Sequence, residues 1–117
     1  MTATTDCLFC KLSAGGIPAD ITFRDPEVIA FRDIKPQAAV HELVIPTRHV
    51  TSVASAAPED AALLGKLMLV GAQRAKDNGF GDRGFRLVVN SGPDAGQTVF
   101  HVHLHVLAGR PLGWPPG

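Results

Sequence analysis

Apolar and polar side chains alternate most regularly near the C-terminal end. There His101-Val102-His103-Leu104-His105-Val106 repeats an imidazole and an aliphatic side chain three times. A two-residue period is that of an extended strand, so this stretch predicts a strand over about 99–107 with its three histidines on one face. Val102, Leu104 and Val106 then face a core. Apolar runs at 21–24, 28–31 and 41–46 predict three earlier strands, the first two joined by the turn Asp25-Pro26-Glu27, and 85–90 predicts another. The helical period appears in Leu63, Leu64, Leu67, Met68 and Gly71. Pro58-Glu59-Asp60 is placed to form the first turn of that helix and Asn78-Gly79 to end it. Near the N-terminus, Thr5 or Asp6 is expected to cap a short helical turn through Lys11 and Leu12, which Gly15, Gly16 and Pro18 terminate.

The order is therefore small helix, three strands, long helix, two strands. Short connections between neighbouring strands favour an α+β fold with a five-stranded, mainly antiparallel sheet packed on helix over a parallel βαβ arrangement. At 117 residues and 45% hydrophobic content the chain has the size and composition of one domain over 1–117, with 108–117 as a proline- and glycine-rich tail holding the only tryptophan, Trp114. A domain this small keeps much of its surface exposed, and a dimer interface would add stabilisation.

Eleven basic and eleven acidic residues cancel, and no run of lysines or arginines occurs. That argues against binding polymeric nucleic acid, which depends on neutralising many phosphates, and leaves room for a small nucleotide. Met1 to Asp6 does not read as a signal peptide. No stretch approaches the roughly 18 apolar residues of a membrane span, so no membrane association and a cytoplasmic location are expected.

Three imidazoles on one face are costly to bury and need a ligand, a metal or solvent. At i and i+2 their side chains lie about 7 Å apart, close enough to reach different atoms of one phosphate. One neutral imidazole can attack phosphorus and later leave while a second holds or moves protons. Just upstream, Ser91, Gly92, Gly96, Gln97 and Thr98 form a turn-rich stretch able to aim several donors at an anion, without the Gly-Lys-Ser/Thr ending of a Walker loop. Both cysteines fall in Cys7-Leu8-Phe9-Cys10. In a reducing compartment this spacing admits a zinc site, a redox pair or two inert thiols. For zinc, His49 and a strand histidine would complete a tetrahedron, and His101 suits best because it leaves His103 and His105 for chemistry. Taken singly, His41 and His49 read as structural histidines and Asp33 as a turn residue, although a carboxylate there could accept both hydroxyls of a ribose.

His101-Val102-His103-Leu104-His105-Val106-Leu107 resembles the signature of the histidine triad family of nucleotide-binding proteins. The resemblance extends through Phe31-Arg32-Asp33-Ile34-Lys35-Pro36-Gln37, His41-Glu42-Leu43-Val44-Ile45-Pro46, Asn90-Ser91-Gly92, Gly96-Gln97-Thr98 and the ending from Gly109 to Gly117. It is nearest the purine nucleoside phosphoramidase branch. It implies a homodimer with a continuous ten-stranded sheet, and hydrolysis of the phosphorus–nitrogen bond of a purine nucleoside 5'-phosphoramidate. His103 would be the nucleophile, His105 would contact the phosphate or leaving group, and His41 would orient His103. His101 would support the network or bind zinc. Asp33 would hold the ribose, and Phe9, Leu12, Phe31 and Ile34 would enclose the base. Asn90, Gly96, Gln97 and Thr98 would surround phosphate and ribose. Trp114 would reach the partner's site from a tail docked at the dimer interface. Cys7, Cys10, His49 and His101 match the zinc set of bacterial members, which implies structural zinc and no organic cofactor. Two alternatives within reach of the same resemblance are a dinucleoside polyphosphate hydrolase and a nucleotide-binding regulatory or scaffold protein with weak hydrolysis.

Overall fold

The structure is a computed structural model that describes residues 6–117. Helix α1 (Leu8–Ser13) precedes β1 (Ile21–Arg24), β2 (Val28–Arg32) and β3 (Val40–Pro46). A 3-10 turn at Pro58–Asp60 leads into α2 (Ala61–Asp77), and β4 (Arg86–Val89) and β5 (Leu104–Ala108) follow. The sheet order is β1-β2-β3-β5-β4, with every neighbouring pair antiparallel. The expected α+β architecture, one long and one short helix with a five-stranded sheet, is the one that forms.

Period-two patterning sorts the side chains onto the two faces. Val28, Ala30, Val44, Val102, Leu104 and Val106 pack with Leu63, Leu67 and Ala75 of α2. Ile29, Phe31, Leu43 and Ile45 turn the other way and meet Phe9 and Leu12 of α1. Strand β3, covered on both faces, is buried from His41 to Pro46. The long helix lies close to β5 because Gly71 has no side chain. A Cβ there would stand 2.5 Å from Leu104 Cδ2 and 3.3 Å from Leu87 Cδ2 and Val106 Cγ2. Overpacking of this kind outweighs the better helix propensity of a larger residue, so Gly71→Leu is expected to cost about 3 kcal/mol. Urea unfolding checks it: the midpoint should fall with the slope unchanged.

Several local expectations need correction. The cap of α1 is Cys7, whose Sγ accepts the Cys10 N–H at 3.3 Å. Asp6 stands one residue too early, and Thr5 lies outside the described residues. A sulfur takes the place of the usual oxygen, and the same atom also faces His101 Nδ1 at 3.3 Å. Strand β5 begins at Leu104 and not near 99. Residues Leu104 to Ala108 pair with Val44 to Val40, but further along β3 the Pro46 carbonyl is taken by the His101 ring, and the Val102 N–H turns to Val50 O at 2.7 Å. The side-chain alternation continues through 101–103 without the ladder. Pro58-Glu59-Asp60 makes a 3-10 turn instead of the first turn of α2, tightened by the Asp60 carboxylate, which accepts the Ala57 N–H at 2.8 Å and pairs with Arg48 at 2.7 Å. Strand β4 is shorter than expected at both ends.

The tail lies against its own chain through Arg86, which donates to Gly113 O at 2.8 Å, and through Arg110, which donates to Gln37 O at 3.0 Å. Trp114 is 83% exposed.

Candidate active site and metal centre

The α1 side of the sheet carries two adjoining polar clusters, and hydrogen-bond bookkeeping separates what each can do. Cys7, the cap of α1, and Cys10 in its first turn meet His49 from the segment after β3 and His101 from the segment before β5. The four ligand atoms lie within 4.8 Å of one another. Individual contacts are 3.3 Å from Cys7 Sγ to His101 Nδ1, 3.5 Å from Cys10 Sγ to the same nitrogen, and 3.2 Å from Cys10 Sγ to His49 Nδ1. Sulfur at about 2.3 Å and nitrogen at about 2.0 Å from a tetrahedral zinc would stand roughly 3.5 Å apart, so these edges fit the ion. The protonation pattern fits too. His101 Nε2–H donates to Pro46 O at 2.9 Å, which leaves Nδ1 bare toward the thiols. Burial, reinforced by the bond and the charge of Cys7, pushes the Cys10 thiol up to about 11. A divalent cation would remove that penalty by binding the thiolate. Burial likewise pushes His101 down to about 4, so its ring is neutral at pH 7 and free to ligate.

Asp33, His41 and His105 form the second cluster, with ligand atoms equally close. It is a hydrogen-bond relay and not a metal centre. The Gln37 backbone N–H donates to His41 Nδ1 at 3.0 Å, so neutral His41 carries its proton on Nε2, where a metal would have to bind. That proton lies between His105 Nδ1 at 2.9 Å and Asp33 Oδ2 at 3.3 Å. Burial lowers the pKa of His41 against the opposing pull of Asp33, which keeps it neutral. Because His105 Nδ1 accepts, the hydrogen of neutral His105 sits on Nε2. Burial, with His103 and His41 adding to it, pushes His105 down to about 4.

His103 lies between the two clusters. Its Nδ1–H donates to the His101 carbonyl at 2.8 Å, and Nε2 is left with a free lone pair. The ring packs edge-on against Phe9 at 5.1 Å and against His105 at 5.2 Å between centroids. This corrects one expected role. His41 touches His105, while His103 is oriented by the main chain of His101. The reason is register: His41 pairs with Leu107 and Leu43 with His105, so His41 and His105 are diagonal neighbours across β3 and β5.

Of the expected nucleotide contacts, Phe9, Leu12 and Phe31 come together in the buried cluster under α1, whereas Ile34 is 93% exposed on the loop after β2. The four do not form one wall. Asp33 shares that loop, with Oδ1 accepting the Lys35 N–H at 2.8 Å. Gln97 is buried, and its side chain is spent on backbone groups of its own loop and of Thr51 in the segment after β3. Its Oε1 accepts the Gly92 N–H at 2.9 Å, and its Nε2 donates to Thr51 O and Val99 O. It shapes the loop and offers no free side-chain donor. Thr98 is exposed and lines an open pocket of about 470 Å³ with Asp6, Leu8, Thr51 and Phe100 beside the cysteine cluster. Asn90 and Gly96 border the same turn-rich stretch. Sequence reasoning missed the Pro46 carbonyl and the Gln37 N–H, because backbone groups have no residue type to read.

A family model described as HIT domain matches residues 14–112. The chain belongs to the HIT domain family. This HIT chain is 51% identical over 112 residues to an uncharacterized HIT-like protein of Synechocystis, an alignment that covers 96% of this chain and 97% of the relative. In structure it is similar to a HIT family hydrolase from Legionella pneumophila, with TM-score 0.94, 43% identity, and coverage of 96% of this chain and 100% of the other. A Zn-bound histidine triad family protein from Mycobacterium smegmatis superposes with TM-score 0.78 at 33% identity, covering 92% of the HIT chain and 78% of its own.

Proposed function

We propose that this HIT protein is a hydrolase that cleaves the phosphorus–nitrogen bond of purine nucleoside 5'-phosphoramidates through a nucleotidyl intermediate on His103. The observation that carries the reading is the tautomer of His103. With Nδ1–H held by the His101 carbonyl, Nε2 is an unprotonated nucleophile. In the first step Nε2 bonds to phosphorus, the phosphorus–nitrogen bond breaks, and the leaving nitrogen takes a proton from solvent and departs as the amine. In the second, water attacks phosphorus and returns a proton to solvent, the bond to Nε2 breaks, and the nucleoside monophosphate departs.

His105 supplies an Nε2–H donor to the phosphate oxygen or the departing amine, and His41 fixes that donor by filling His105 Nδ1. Asp33 holds the ribose, with Ile34 as an exposed apolar surface for the purine. Thr98 and the backbone of the loop around Gly96 contact the phosphate, with Gln97 keeping the loop in shape. Cys7, Cys10, His49 and His101 hold zinc, which cross-links α1 to the two segments flanking the site. A homodimer would place the exposed Trp114 near a second subunit's leaving group. The Legionella and Mycobacterium relatives support the hydrolase and zinc parts of this reading by their names. The Gly96-Gln97-Thr98 loop and the Trp114-Pro115-Pro116-Gly117 ending favour phosphoramidates over dinucleotides.

A substrate panel tests it. Adenosine and guanosine 5'-phosphoramidates should turn over at least about tenfold faster, in kcat/KM, than diadenosine tri- or tetraphosphate. The reverse order would replace this substrate class with dinucleoside polyphosphates, and binding without turnover would leave a nucleotide-responsive scaffold.

A further inference from the structure

The hydrogen bond between His41 Nε2 and His105 Nδ1, 2.9 Å long, joins two neutral rings and can run in either direction. Only one direction is useful. With the shared proton on His41, His105 presents Nε2–H to the substrate; with it on His105 Nδ1, the same Nε2 turns a lone pair toward the phosphate oxygens. The Gln37 N–H sets the direction, because it donates to His41 Nδ1 at 3.0 Å and leaves no place for a hydrogen there. We propose that Arg110, at the start of the tail, is a positioning residue for His105, holding Gln37 where its N–H fixes that direction. The inference rests on the donor role given to His105 above, and adds to it a residue outside the site.

Gln37 sits exposed in the connection 33–39, outside the strands. Its polar groups reach three ways. The N–H goes to His41, the side-chain Nε2 donates to Lys35 O at 3.1 Å, and the carbonyl accepts from Arg110 Nη2 at 3.0 Å. The first two partners lie within four positions of Gln37, whereas the third is 73 positions away, so it is the one that ties Gln37 to a distant part of the fold. A glycine makes that reach possible. Gly109 leaves β5 at a φ of +104°, and a Cβ there would stand 2.6 Å from Ala39 Cβ, so bare backbone passes against the loop just before Arg110. Arg110 Nη1 donates to Pro111 O at 3.2 Å, and Arg86 holds Gly113 O at 2.8 Å further on. One side chain thus joins an anchored tail to the loop. The other support for the direction is Asp33 Oδ2, 3.3 Å from His41 Nε2, but that carboxylate also has the ribose to hold. With substrate bound, Gln37 carries the larger share.

A clamp that only tidied the loop would, when lost, loosen Asp33 and Ile34 and raise KM, with the ring protons unmoved. A positioning residue moves the protons. Arg110→Met keeps an unbranched apolar stem and removes the donors, and because Arg110 is exposed the variant is expected to stay folded. Histidine-labelled protein near pH 8, where both rings are neutral, gives the readout in long-range proton–nitrogen spectra. Wild type should show His41 and His105 each protonated on Nε2. In Arg110→Met the population with both protons on Nδ1 should rise about fivefold, the equivalent of one ordinary hydrogen bond, and the Gln37 amide should exchange with solvent faster by a similar factor. An unchanged tautomer pattern would overturn the proposal, and faster amide exchange without it would leave Arg110 a loop clamp only. A tautomer shift in protein that hydrolyses no phosphoramidate would sink the hydrolase reading and leave the positioning of His105 by the tail standing.

Discussion

His103→Ala is expected to lower kcat/KM for a nucleoside phosphoramidate by about 10⁴-fold or more while nucleoside monophosphate still binds. The variant removes the one imidazole whose Nε2 lone pair is free by hydrogen-bond bookkeeping, and leaves intact the Asp33 carboxylate and the loop around Gly96. His101 loses only an acceptor role at its carbonyl, so the metal ligands keep their places. His105→Ala should behave differently. It removes a donor to developing charge and not the attacking atom, and losses of about 10² to 10³ are typical of such donors. Rapid-quench experiments with labelled substrate provide the decisive comparison. Wild type should trap label on the protein within one turnover, His105→Ala should trap it slowly, and His103→Ala should trap none. Near-normal turnover by His103→Ala would defeat the covalent route.

The contrast between these histidines also marks how far the sequence can be read. Alternation in 101–106 correctly sends Val102, Leu104 and Val106 under α2 and the imidazoles to the α1 side. That outcome is local, because successive side chains of an extended chain point to opposite faces whether or not the backbone is paired. Pairing itself is not local. Strand β5 starts at Leu104 because the Pro46 carbonyl goes to the His101 ring, a contact across 55 residues of chain. The cysteine spacing suggests a metal site, yet its completion by His49 and His101 needs the fold to bring three segments together. The division of labour between His41 and His103 was likewise hidden. Whether His41 meets His103 or His105 depends on a two-residue diagonal in the β3–β5 register. Asp33 and Ile34 were legible as neighbours on a loop, but the exposure of Ile34 beside the burial of Phe9, Leu12 and Phe31 follows from how α1 covers the sheet.

The second large effect lies on the opposite face. Glu42, next to His41 in β3, points under α2 and is 1% exposed. Its carboxylate accepts from Arg74 Nε at 2.9 Å and Nη2 at 3.3 Å, from the Thr22 hydroxyl at 2.7 Å and from Asn78 Nδ2 at 2.8 Å. Nothing in the sequence singles this residue out, since its charge reads as a surface position. Burial pushes the Glu42 carboxyl up, but the hydrogen bonds from Arg74, Thr22 and Asn78 outweigh it and hold the group below the ordinary range. A carboxyl whose folded pKa lies below its unfolded value, about 4.3, stabilises the fold above that value, and the contribution is lost as pH falls through the folded pKa. Arg74→Met keeps the bulk of the side chain and strips the buried carboxylate of its charge partner. The expected cost at pH 7 is about 3 kcal/mol, the low end for a broken buried pair because Thr22 and Asn78 remain, or a drop of roughly 12 °C in midpoint. The pH dependence should also change sign. With Arg74 gone, burial dominates and raises the Glu42 pKa above its unfolded value, so the variant binds a proton more tightly folded than unfolded. Its deficit relative to wild type should then shrink as pH is lowered from 7 toward 5. Thermal melts at these pH values, paired with Thr22→Val as a control that leaves the charge pair intact, distinguish this from simple loss of packing. A deficit that stays constant with pH would show that Glu42 and Arg74 are not electrostatically coupled.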